Sequence, residues 1–220
     1  MVGFDTAQGA FRYGYDELAR QAAPQKELKL SVVCSSLRTT KGQRLRLNFL
    51  NRLKERLGDR LVHFGRGFTP IGDKMDAIAP YHYHLVLENS TGENYWTEKL
   101  ADAFLGWAFP LYLGCPNLEN YFPREAFARV DPQQFEQTVR RIEEFLSAPP
   151  PPAVQEAIRV SRNRMLNQYN FFGQLAGWAE KLHQPGSPAR LITIRSHNAF
   201  RFPAGLFFRW KNRGYQPGLL

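Results

Sequence analysis

Asn89, Ser90, Tyr95, Glu98 and Lys99 place amide, hydroxyl, aromatic, acidic and basic groups within one short stretch, ENSTGENYWTEK. It joins an apolar run, YHYHLVL (Tyr81 to Leu87), to a helical pattern opening at Thr97, so these side chains gather where a strand hands over to a helix. The first turn of a helix presents free N–H groups that favour an anion, and Lys99 adds a full positive charge. Glu98 can accept two hydrogen bonds from a vicinal diol such as that of ribose. Together they describe a nucleotide diphosphate site. Neither GxGxxG nor GxxxxGK[ST] occurs, which disfavours a dinucleotide enzyme and a P-loop NTPase.

Ligands of open parallel sheets bind beyond the carboxyl ends of the strands, so the surrounding elements must form such a sheet for this site to exist. KELKLSVVCS, Lys26 to Ser35, ends in a β-branched run that reads as a buried strand. Leu45, Phe49, Leu50, Leu53 and Leu57 recur at helical spacing behind it, and Gly58 is the expected C-cap. Short strands are expected at Arg60 to Phe64, Tyr81 to Leu87, Phe109 to Leu113 and Phe127 to Val130. Helices are expected at Asp73 to Ile78, Thr97 to Trp107 and Pro132 to Leu146, with Thr97 as an N-cap. Strand and helix alternate with crossovers long enough to demand parallel pairing, giving an α/β, Rossmann-like parallel sheet covered by helices.

This sheet domain is expected over residues 26–147, after a loosely attached N-terminal arm, or the remnant of a missing acceptor domain, over 1–25. A proline spacer and one helix, Val154 to Leu182, follow over 148–183, and a basic aromatic tail over 184–220 completes the appendage. The chain carries 29 basic and 20 acidic side chains, but residues 1–150 contribute only +1, while 151–220, with 10 basic and 2 acidic, contribute +8. From His183 onward Arg190, Arg195, Arg201, Arg209, Lys211 and Arg213 meet no acid and alternate with phenylalanines and Trp210. That mixture suits an anionic membrane surface or packing on the body. Nucleic acid is disfavoured, because no recognition motif accompanies the charge. Cys34 and Cys115 read as buried thiols of a reducing compartment, and no run is long enough to span a bilayer. A cytoplasmic protein is expected, peripheral to the inner face of a membrane where the tail meets lipid.

The stretch YHYHLVLENSTGENYWTEKLADAF resembles the signature of glycosyltransferase family 10, the α-1,3/4-fucosyltransferases, and FPLYLGCPNLENYFP resembles the family's next strand and loop. The resemblance runs from about Leu28 to Phe145. It implies the donor-binding, C-terminal half of a two-domain GT-B fold, inversion at the anomeric centre, GDP-fucose, or the GDP-sugar of a related hexose, as donor and a saccharide acceptor. By matching position it implies that Glu98 binds the guanosine ribose, Lys99 meets the phosphates, and Asn89 and Tyr95 line the pocket. Arg46, in R-x-x-F-x-x-x-L, is implied as the phosphate-binding arginine, with Arg44 leaving the register open. The resemblance implies no metal, and no DxD motif occurs. The family takes its general base from the N-terminal domain, so the base is expected outside this chain.

Plainer readings stand beside these. Glu98 and Lys99 could be solvated charges at a helix start, Arg46 a solvated helix residue, and His82 and His84 sheet residues without a third metal ligand. A module that binds GDP-sugar without transfer, and a membrane-associated domain with a vestigial site, are the alternative functions.

Overall fold

The computed structural model describes residues 4–5 and 10–186. Residues 1–178 form one compact unit and 179–220 a second, in which the description ends at Gly186. The tail from Ser187 onward, with its expected lipid contact, lies outside the described residues.

Two short strands, β1 (Phe4–Asp5) and β2 (Ala10–Phe11), pair antiparallel and lead into α1 (Tyr15–Arg20). Then β3 (Glu27–Val33), α2 (Lys41–Leu57), β4 (Leu61–Phe64), α3 (Lys74–Ile78) and β5 (Tyr81–Leu87) alternate. They are followed by α4 (Glu98–Leu105), β6 (Phe109–Leu113), β7 (Ala128–Arg129) and α5 (Phe135–Phe145). The sheet runs β4-β3-β5-β6-β7, all parallel, as the alternation predicts. From β3 the chain steps outward to β4, then crosses back over β3 to β5. The carboxyl ends of β3 and β5 therefore flank the point where the winding reverses, and loops on their two sides diverge to open a crevice.

Strand alternation divides the side chains between two cores. Leu30, Val32, Tyr83, Leu85 and Leu87 pack under α2 and α5 with Leu50, Leu53, Val139 and Ile142. Val86 and Tyr112 face the other side, against Leu100 and Phe104 of α4 and Phe122 and Phe127. Full burial of a leucine such as Leu53 stabilises the fold by about 1.5–3 kcal/mol. Helix starts follow local chemistry: Thr40 and Gln43 form a reciprocal capping box on α2, and Asp73 accepts the Met75 N–H at 2.7 Å ahead of α3. Gly58 closes α2 with a positive φ of 53°.

Two expectations fail. The N-terminal arm is seated on the body: Leu18 is buried beside Met75 and Leu166, and its carbonyl accepts from the buried Arg162 guanidinium. The single helix over Val154 to Leu182 is instead α6 (Pro152–Asn163), a π turn (Arg164–Gln168) and α7 (Phe171–Leu182). Aromatic packing causes the break, because the Tyr169 ring lodges 5.3 Å from Trp96 and 5.6 Å from Phe122, and Asn170 then caps a new start by accepting the Phe172 N–H. No residue of α7 is buried, and Phe171 and Phe172 are 67% and 76% exposed.

Candidate functional site

The loop after β3 binds the loop after β4 through Ser36 N–H to Arg66 O at 3.0 Å, so both leave the sheet as one rim. At the start of α2, an added Cβ on Gly42 would lie 2.8 Å from the Asn89 carbonyl oxygen. Glycine here lets the helix approach the end of β5, and one turn later Arg46 faces the same place. Its Nη1 donates to Leu87 O at 3.3 Å, while its Nε is buried without a partner. Arg44 is exposed and spends its Nη1 on the carbonyls of Arg38 and Thr39. Geometry thus separates the two arginines that the sequence leaves open.

Arg46 borders a hollow of about 480 Å³, whose wall includes Gly42, Glu88, Asn89, Ser90 and Asp131. Cavities of roughly 300–1,000 Å³ are the usual size for nucleotide-sized ligands. Glu98 and Lys99 border a neighbouring hollow of about 180 Å³ together with Lys74, His84 and Asp102. Asn89 and Arg46 are therefore brought together, as are Glu98 and Lys99, in adjoining spaces. Burial pushes the Cys34 thiol up while the charges of Arg46 and Lys99 pull it down, which places both cations near the end of β3. Tyr95 borders neither hollow and is 40% exposed, on a turn whose Asn94 holds φ 61° and is bonded to Asn117 and Tyr121.

Glu88, the first residue after β5, binds the two spaces together. Its carboxylate is fully buried and accepts from the Thr97 N–H at 3.0 Å, the Thr97 hydroxyl at 2.8–2.9 Å and Lys99 Nζ at 3.3 Å. This changes the expectation of an N-terminus with free N–H groups. Thr97 N–H goes to Glu88, Lys99 N–H to Thr97 Oγ1 and Leu100 N–H to Thr97 O. Three donors of the turn already have acceptors, so an anion is met mainly by side chains. Lys99 also contacts Glu98 Oε1 at 3.4 Å, and although partial burial works the other way, the Lys99 charge holds the Glu98 carboxyl below its usual range. Two cations and two carboxylates meet here, and Arg46 is the cation for which no carboxylate partner is found among the described residues.

Glu88 and Gly42 were not singled out by sequence reasoning. Glu88 stood in plain view in ENS, nine positions before the threonine it binds, but nothing in composition marks a carboxylate as buried. Burial of His84, whose Nδ1 lies 2.8 Å from Ser31 Oγ, agrees with its reading as a sheet residue, and Cys34 and Cys115 are free and buried. Among the described residues no group of three or more His, Cys, Asp or Glu side chains could hold a metal ion, and no helix is long and apolar enough to cross a membrane.

The sequence profile of the C-terminal part of glycosyltransferase family 10 (fucosyltransferase) matches residues 23–148, from the approach to β3 to the end of α5. The chain belongs to glycosyltransferase family 10. Among its family 10 relatives, human 4-galactosyl-N-acetylglucosaminide 3-alpha-L-fucosyltransferase FUT6 is 38% identical over 73 residues, covering 31% of this chain and 20% of that protein. Mouse 4-galactosyl-N-acetylglucosaminide 3-alpha-L-fucosyltransferase 9 is 31% identical over 113 residues, 49% of this chain and 30% of that protein. The fold is that of one half of a crystal structure of an alpha1,3-fucosyltransferase with GDP-fucose: TM-score 0.50, 18% identity, 74% of this chain and 49% of that one. The chain thus spans half or less of the length of the relatives it matches.

Proposed function

We propose that this family 10 chain is the donor-binding half of an inverting fucosyltransferase, holding GDP-fucose at the crevice between β3 and β5 for transfer to a saccharide hydroxyl. The observation that carries the reading is the Arg46 guanidinium, with a buried unpaired Nε, beside a hollow of about 480 Å³ walled by the start of α2, the loop after β5, the end of β6 and the segment after β7. A buried donor without an acceptor costs about 1–3 kcal/mol, and a phosphate oxygen would remove that cost with a charge-assisted bond. In this reading Asn89 lines the same space, Glu98 accepts from the ribose hydroxyls, Lys99 meets the second phosphate, and Tyr95, exposed outside both hollows, swings onto the bound nucleotide. As the glycosidic bond breaks, negative charge grows on the departing diphosphate, where two cations stabilise it without a metal. The base that takes the acceptor's proton comes from outside this chain.

Incubation with GDP-fucose and a galactose- or N-acetylglucosamine-containing acceptor tests the reading, with and without an added acceptor-binding domain of a fucosyltransferase. GDP and GDP-fucose should raise the melting temperature of the chain, and Arg46→Ala should shift the response to about hundredfold higher nucleotide concentration while the fold persists. Protection by GDP with no consumption of GDP-fucose under any pairing would favour a binding module. For the tail, the exposed Phe171, Phe172, Leu175 and Trp178 of α7 support a reading in which this end of the chain meets an anionic membrane surface. Co-sedimentation with anionic but not neutral vesicles, lost on removing residues 187–220, is its expected outcome.

A further inference from the structure

Glu88 has no role in the readings above beyond capping α4, yet its surroundings exceed what a cap needs. Its own N–H donates to Leu113 O at 2.9 Å, which fixes the backbone between β5 and β6. An added Cβ on Gly114 would come within 2.6 Å of Glu88 Cγ and 2.4 Å of the Tyr112 hydroxyl, so glycine at 114 leaves the space the carboxylate occupies. Water reaches none of the carboxylate, and a buried carboxylate is tolerated only with donors and a counter-charge. Thr97 supplies the donors and Lys99 the charge.

The ammonium of Lys99 has three N–H groups, and three acceptors surround it: Glu88 Oε2 at 3.3 Å, Thr97 Oγ1 at 3.2 Å and Glu98 Oε1 at 3.4 Å. These contacts are unequal. The Glu98 side chain is 48% exposed and loses little by turning to solvent, whereas Glu88 would be left charged, buried and without its counter-ion. An incoming phosphate can therefore replace Glu98 at Lys99 but cannot replace Glu88.

Resting on the nucleotide reading above, we propose that Glu88 is a positioning residue for Lys99: it tethers the ammonium permanently, so that a phosphate exchanges only with Glu98, which is thereby freed to accept from a sugar hydroxyl. Without the tether, Lys99 collapses onto Glu98 and both groups are withdrawn from the ligand.

A double-mutant cycle read by GDP titration separates this from a merely structural cap. Glu88→Gln keeps the shape and an acceptor for the Thr97 N–H, and should weaken GDP binding about tenfold, as Lys99→Met does. The Glu88→Gln/Lys99→Met double variant should bind no more than about twofold worse than either single one, while Glu88→Gln/Arg46→Ala should show the product of the separate losses. A Glu88→Gln change below twofold, or independent losses with Lys99→Met, overturns the tether. Unchanged affinity in Lys99→Met removes Lys99, and with it this role of Glu88, while the Arg46→Ala arm still reports on the nucleotide reading itself. Should Glu88→Gln fail to fold, Lys99→Met carries the test by stability. It leaves the Glu88 carboxylate buried without its counter-ion, whereas Glu98→Gln removes only the exposed contact, so Lys99→Met should lower the melting temperature clearly more than Glu98→Gln does. Equal losses in the two variants overturn the proposal.

Discussion

Arg46 and Lys99 carry the same formal charge but meet a ligand under different conditions. Lys99 must give up Glu98 to bind an anion, whereas Arg46 gains a partner for a donor that has none. Loss of Arg46 should therefore cost more than loss of Lys99. Arg46→Ala is expected to weaken GDP binding by roughly a hundredfold, about 2.7 kcal/mol, against about tenfold for Lys99→Met, in parallel titrations. Equal losses would mean that the unpaired Nε is not what the nucleotide meets. A second residue-scale prediction concerns His84, which burial first, and then Lys26 and Lys74, push down to about 3. The unfolded chain, with an ordinary imidazole near 6.5, binds the proton first, so stability present above that value is lost as the pH falls from about 6.5 to about 3, by up to about 1.4 kcal/mol per pH unit. Ser31→Ala/His84→Leu should flatten the stability curve between about pH 6 and 4, and an unchanged slope would contradict the assignment. At this scale the sequence names the right neighbourhood, because residue types and their order carry it. It cannot show that the Thr97 N–H ahead of α4 is already spent, since that depends on where the Glu88 side chain turns.

Among elements, the legible ones have their own local chemistry. Tyr81–Leu87 is dense in β-formers, α2 has a capping box and a glycine stop, and α4 has Thr97. The break between α6 and α7 was not legible, because the rings that capture Tyr169 come from Trp96, Tyr121 and Phe122, nearly fifty or more positions away. The approach of α2 to β5 was equally invisible, since it depends on Gly42 facing a carbonyl from another loop. It yields an element-scale prediction. Gly42→Val must push α2 from Asn89 O, moving Arg46 with it, and overpacking of this kind costs about 1–3 kcal/mol. GDP affinity should fall about tenfold while the two-state unfolding transition persists. Retained affinity would place the ligand away from this helix.

For the molecule as a whole, the strand order decides most, because a parallel sheet that reverses between β3 and β5 gathers its ligand-facing loops at the carboxyl ends of the strands, where both hollows lie. Arg46, Asn89, Glu98 and Lys99 all belong to residues 1–178, and so does every wall of the two hollows. A chain ending at Gly186 should therefore bind GDP within about twofold of the full chain, and a larger loss would bring the tail into the site. The claim on which the rest depends is that this crevice holds a guanosine diphosphate through Arg46. Calorimetric titration of the full chain and of Arg46→Ala with GDP, using UDP for comparison, measures it directly. The account predicts one GDP per chain with affinity near the micromolar range, about 8 kcal/mol, weaker binding of UDP, and about hundredfold weaker GDP binding by Arg46→Ala. No heat with GDP, or a variant that binds as the wild type does, would contradict it.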